Sequence, residues 1–169
     1  MGPPARFATQ TFGGGKKRGG TMTEEMIRMM QLAQQGFYCS QILLMMGLEA
    51  QGKKNPDLVR SMAGLAGGLG FSGEVCGALT GGACLLGLYA GRGTPDEEEN
   101  EHLNLMIFEL VEWFTAQYGL MYGGIRCETI LGDDPANRTT RCPAMVVGTY
   151  EKIKGLLAEN GFDLSGDRE

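Results

Sequence analysis

Apolar residues recur three and four positions apart along most of this chain, and glycines close almost every such stretch. That spacing is one face of a helix, and the glycines hold each helix to a few turns. Met22, Met26, Met29, Met30 and Ala33 make the first stripe, ended by Gly36, and Thr21 with Glu24 reads as its capping box. A second helix runs from about Tyr38 to Met46 and stops at Gly47. Asn55-Pro56-Asp57 opens a third, with Asn as cap and Pro at the first helical position. Its inner stripe is Leu58, Val59, Met62, Leu65 and Ala66, and Gly67, Gly68 and Gly70 close it. A fourth starts at Ser72 or Gly73 and ends at Gly91 and Gly93.

Thr94-Pro95-Asp96-Glu97 is the clearest start signal, combining a cap, an N1 proline and a box glutamate. The helix it predicts carries Leu103, Met106, Phe108, Leu110, Val111, Trp113 and Phe114 and reaches about Tyr118. A short helix or turn follows at about 125–131. Cys142-Pro143 then opens the last helix, with Pro at N1 and Val146, Val147, Tyr150, Ile153, Leu156 and Leu157 on its apolar face. Nothing reads as a strand. Six or seven helices with short joints predict an all-α, compact bundle-like single domain. The expected boundaries are a flexible Gly-rich leader over 1–20, the helical domain over 21–161 and a polar tail over 162–169.

A net charge of −5 removes the electrostatic case for nucleic-acid binding, and Lys16-Lys17-Arg18 is too short a patch to restore it. No apolar run is long enough to span a bilayer, and no signal-peptide pattern is visible. The expected location is cytoplasmic. Scattered cysteines in a reducing compartment serve as metal ligands, redox groups or packing residues more often than as disulfides.

Of five cysteines, Cys39, Cys76, Cys127 and Cys142 stand far apart. Cys39, Cys76 and Cys142 fall where helices begin, and Cys127 sits in the short helix or turn. A helix N-terminus lowers a thiol's pKa, which makes Cys76 the best-activated sulfur on this reading. Glycine inside a helix costs about 1 kcal/mol against alanine, so Gly77, Gly81 and Gly82 after Cys76 imply close approach by a neighbouring segment or a cofactor. Three chemistries remain open: a centre held by four thiolates, thiol–disulfide exchange, and buried packing. The chain has no CxxC, and its only histidine is His102. Cys84, two turns after Cys76, reads as a packed thiol.

With Cys76-Gly77-Ala78-Leu79-Thr80-Gly81 as a CGAxxG motif, the chain resembles the bacterial and archaeal family named for its cysteine pattern, C_GCAxxG_C_C. Cys39, in Gly36-Phe37-Tyr38-Cys39-Ser40-Gln41, matches the family's upstream cysteine. Cys127, in Arg126-Cys127-Glu128-Thr129-Ile130-Leu131-Gly132, and Cys142 match the downstream pair. The resemblance spans about residues 24 to 157, and Cys84 is not among the four. It implies a redox role for the cysteines. On that footing the expected metal ligands are Cys39, Cys76, Cys127 and Cys142. Gly77, Ala78 and Gly81 are expected beside the cofactor, an iron–sulfur cluster or, alternatively, zinc or none. If the chemistry is dithiol exchange, Cys76 and Cys142 are the redox thiols. The implied partner is a redox protein, which Asp96 to Glu101 could steer, and the Gly faces allow a homo-oligomer. A zinc-bearing interaction module is the reading from another class. A similar region occurs in split-Soret cytochromes, but this chain lacks C-x-x-C-H, so covalent haem is not implied.

Overall fold

The computed structural model describes residues 22–166, and among them every regular element is helical. Seven α-helices follow in order: α1 Glu24–Gln34, α2 Cys39–Ala50, α3 Pro56–Ser61, α4 Gly77–Ala90, α5 Leu103–Phe114, α6 Cys127–Leu131 and α7 Asn137–Glu159. A 3-10 turn over Met62–Leu65 extends α3, and a π-turn over Thr115–Gly119 carries α5 on to Tyr122. The expected leader lies outside the described residues. None of the described helices is long and apolar enough to cross a membrane.

The centre of the molecule is α4, packed against α2, α5 and α7. The core is continuous through Leu43, Leu85, Leu86, Met106, Leu110, Phe114, Ile153 and Leu157. A satellite of Leu44, Leu48 and Met62 joins α2 to the α3 segment. Asn55 caps α3 as its sequence predicts, its side-chain oxygen accepting from the Leu58 N–H at 3.0 Å. For α1 the cap is Thr23, accepting from the Met26 N–H at 3.2 Å, whereas the expected Thr21 lies outside the described residues. Beyond α7, Phe162 and Leu164 pack on the core, and the Tyr89 hydroxyl donates to the Leu164 carbonyl at 2.7 Å.

Three sequence expectations give way to packing. Gly47 does not stop α2; it lies inside the helix, where an added Cβ would fall 2.2 Å from Leu85 Cδ1. It is a groove for α4. Thr94 to Glu97 does not start α5, which begins at Leu103. From Asp96 to His102 no apolar residue offers a face to the core, and Glu97 and Glu101 would repel at i,i+4. The capping groups close a loop instead. The Glu97 carboxylate accepts from the Gly93 N–H at 2.7 Å, and the Arg92 guanidinium donates to the Thr94 and Pro95 carbonyls at 3.0 and 2.8 Å.

Pro143 does not open the last helix either. It sits inside α7, which begins at Asn137. An interior proline costs about 3 kcal/mol, and two anchors oppose that cost. The Asn137 side chain donates to the Leu131 carbonyl at 2.7 Å, and Arg141 donates to the Ile130 carbonyl at 2.5 Å.

Two glycines of α4 separate packing from intrinsic propensity. A Cβ on Gly81 would lie 2.6 Å from the Ser40 Cα, whereas one on Gly87 meets nothing within 4 Å. Gly81→Ala is therefore expected to destabilise by about 1–3 kcal/mol, and Gly87→Ala to stabilise by up to about 1 kcal/mol. Denaturant midpoints of the two variants against the parent chain check both signs.

Candidate functional site

Close glycine packing puts two helix starts side by side. Cys39 is the first residue of α2, and Cys76 is the residue preceding α4. A Cβ on Gly77 would lie 2.7 Å from Cys39 Sγ and 2.9 Å from the Leu65 carbonyl oxygen. The Cys39 sulfur thus rests on the first residue of α4, in space that only glycine leaves open. One turn on, Gly81 and the Ser40 backbone make the same close contact, and the Ser40 hydroxyl donates to the Met62 carbonyl at 2.8 Å.

Cys127 arrives through a short antiparallel pairing centred on Val75 and Arg126. The Cys76 N–H donates to the Ile125 carbonyl at 2.9 Å, the Cys127 N–H to the Glu74 carbonyl at 2.6 Å, and the Glu128 N–H to the Gly73 carbonyl at 3.1 Å. Arg126 bridges Glu74 and Glu128 at 2.9 Å each across the same pairing. Cys127 then begins α6. Asn137 and Arg141 anchor the start of α7 onto the end of α6, and Cys142 follows Arg141 inside α7. Three of the four cysteines do stand at helix starts, but the third is Cys127 and not Cys142.

The four thiols form one electrostatic group. Charge on Cys39 and on Cys127 is felt at both Cys76 and Cys142, and Cys39 feels Cys127. Tyr118, placed by the π-turn, feels Cys76. Cys84 shows no such coupling and is exposed on α4. His102 precedes α5, 3.7 Å from Glu101, in the loop that follows the opposite end of α4. Fourteen residues of α4 separate Asp96 to Glu101 from Cys76, about 21 Å along the axis. Any steering by that loop acts far from the thiols. Ala78 is buried in the core behind Cys76, and Gly81 serves the approach of α2 to α4.

Burial governs the thiol chemistry. Removal from water pushes the Cys76 thiol up to about 12, although the Ala78 and Leu79 N–H groups pull the other way. Cys142 is pushed up to about 11 by burial and by the charges of Cys39 and Cys127, with Arg138 opposing. Cys39 is raised by burial against the N–H groups of Ser40, Gly67 and Cys39 itself. Cys127 is raised by burial and lowered in part by Arg138. Burial works against the expectation that a helix start makes Cys76 the best-activated sulfur. Its N-terminal dipoles are present, but at 5% exposure the loss of water outweighs them.

Two contributors were missed at the level of sequence. Gly67 supplies an N–H to Cys39 from a loop that reads only as a helix closure. Arg138 lies one turn before Cys142, a relation hidden by starting α7 five residues too late. Among the described residues no group of three or more His, Cys, Asp or Glu is placed to hold a metal ion.

The family model described as Putative redox-active protein (C_GCAxxG_C_C) matches residues 37–156, a span that contains all four thiols of the group. No curated protein and no solved structure matches the chain.

The raised thiols set a pH dependence. Folding keeps protons on these sulfurs that the unfolded chain releases above its ordinary thiol range, a pKa of about 8.5. Stability of the reduced protein is therefore complete below that range and falls as pH rises from about 9 toward 12. Iodoacetamide labelling read by peptide mass spectrometry should modify Cys84 first and Cys76 last, with the Cys76 rate still climbing above pH 9. Labelling of Cys76 at pH 7 as fast as in the unfolded chain would show that the N–H groups prevail over burial.

Proposed function

Because this chain belongs to the C_GCAxxG_C_C family, we propose that its four grouped cysteines hold an iron–sulfur cluster for electron transfer. The reading is supported by Cys39, Cys76 and Cys127 standing where α2, α4 and α6 begin, with Cys142 electrostatically coupled to two of them. The donor set suits such a group: four sulfurs, the N–H groups of Ser40, Gly67, Ala78 and Leu79 directed at two of them, and Arg138 near the other two. Backbone N–H groups of this kind offset thiolate charge and tune the potential.

A polynuclear core suits thiolates supplied by separate segments, as Cys39, Cys76, Cys127 and Cys142 are. Exchange needs a thiolate that an incoming disulfide can reach, yet Cys76 and Cys127 are buried. When bound, the cluster would accept and release single electrons. The chain's own contribution is to exclude water, to fix the sulfurs from four separate helices and to surrender their protons. Loading is accordingly weaker at low pH.

Purification and reconstitution with iron and sulfide, both without oxygen, test this. The expected product is brown, holds iron and sulfide in equal amount, and bleaches reversibly on reduction. Cys76→Ser and Cys127→Ser are expected to lose the colour, and Cys84→Ser to keep it. Colourless protein with one zinc, or metal-free protein whose thiols pair reversibly, would overturn the reading.

A further inference from the structure

Beside the thiols the backbone does something costly. Gly67, Gly68, Leu69, Gly70 and Phe71 are consecutive, and all have positive φ, between 61° and 72°. Three glycines adopt this left-handed turn freely. Leu69 and Phe71 do not; the left-handed conformation is strained by a Cβ. Nor is the strain repaid in the core, because Leu69 is 51% and Phe71 48% exposed. Strain that persists without a packing benefit points to function.

The turn places Phe71 on one small surface. Phe71 meets Tyr38 edge-on at 5.3 Å between ring centroids, and Tyr38, itself 43% exposed, directly precedes Cys39. The Arg138 guanidinium lies over the Phe71 ring, 5.1 Å from its centroid. Gly67, the first residue of the turn, donates toward Cys39, and Arg138 is the cation felt by Cys127 and Cys142. The patch thus adjoins the thiols through Tyr38, Gly67 and Arg138. Its residue types, aromatic rings with arginine, are those that carry energy at protein interfaces.

Charge selects the occupant. Nearby Arg126 is already matched by Glu74 and Glu128. Arg141 is engaged by the Ile130 carbonyl and the Tyr122 ring. Asp134, on the preceding turn, accepts from the Ala136 N–H. Among the described residues no carboxylate pairs with Arg138.

We propose that the face formed by Tyr38, Phe71 and Arg138 is where a redox partner protein docks, an apolar spot on the partner covering the exposed rings and one of its carboxylates pairing with Arg138. This rests on the redox reading of the same pocket. Docking there brings the partner's own redox group beside Cys39, and the strained turn holds the contact in place before the partner arrives.

An acidic [2Fe–2S] ferredoxin of the plant type is the probe. Titrated into the full chain at low salt, it should shift the amide signals of residues 38, 67–73 and 138. Arg138→Glu should weaken binding about tenfold or more. Phe71→Gly removes strain and the exposed ring together, so it should weaken binding while the melting temperature holds or rises. A purely structural role for Phe71 would move both readouts together.

Phe108→Ser changes an exposed apolar residue on α5 (60% exposed) and should leave binding unchanged. Absence of binding, binding that maps to α5, or indifference to Arg138→Glu would overturn the proposal. Reversible redox titration of the isolated protein reads the pocket separately. Its failure alongside intact docking removes the redox reading, and its success without docking removes only this one.

Discussion

Everything at the thiol site depends on how closely α2 lies on α4. Three glycines make that approach, and each is filled from the opposite helix: Gly47 by Leu85, Gly77 by the Cys39 sulfur and Gly81 by the Ser40 backbone. Glycine is a poor helix former, so such a run weakens the isolated helices. The compensation is contact. Each missing side chain lets atoms of the partner helix into van der Waals range, and the close packing aligns the first turn of α2 with the first turn of α4. Without it, Cys39 and Cys76 would stand a side chain further apart, and the pocket would open to water.

The same closeness explains why these sulfurs are protonated rather than activated. A helix N-terminus offers dipoles worth roughly 0.3–1 kcal/mol at a surface. Removing a thiolate from water costs more than that, and the neighbouring sulfurs add repulsion. The pocket is therefore a poor place for one bare thiolate. It suits a state in which several sulfurs give up protons together to a positive centre, since the charge that burial penalises is then neutralised in place. The N–H groups and Arg138 act on that shared charge and not on a single nucleophile.

Much of this was legible in the sequence, and the limits are specific. Helical periodicity gave the all-α class because it reflects burial on α4, α5 and α7, and burial is what the fold optimises. The four cysteines were legible as a set through the CGAxxG motif and its spacing to the other three. Start signals were less secure. Thr94-Pro95-Asp96-Glu97 has every capping residue but no apolar face behind it, so its hydrogen bonds close a loop. Cys142-Pro143 has the right proline, yet Asn137 and Arg141 anchor on carbonyls 6 and 11 residues back, in another element, where no local pattern records them. Gly47 was misread for a related reason. A glycine that ends a helix and one that admits a neighbour look identical until Leu85 is seen in the gap.

The left-handed turn lay furthest from what sequence can show. Gly67, Gly68 and Gly70 announce a break in the helix, but nothing in them says that Leu69 and Phe71 are carried into the same conformation. Bonds from both sides impose it: Gly70 N–H to the Gly64 carbonyl at 2.9 Å, Phe71 to Ala66 at 3.0 Å, and Gly73 and Glu74 to Gly67 and Gly68 at 3.1 Å each. At Gly68 the Glu74 backbone comes so near that a Cβ would sit 2.3 Å from its carbonyl oxygen, so the loop can close only over glycine. Once closed, it fixes Gly67 under Cys39 and leaves Glu74 paired with Cys127. A single turn thereby joins Gly67, beside Cys39, to the exposed Phe71, and a displacement of Phe71 at the surface has a short covalent path to the groups that surround the sulfurs.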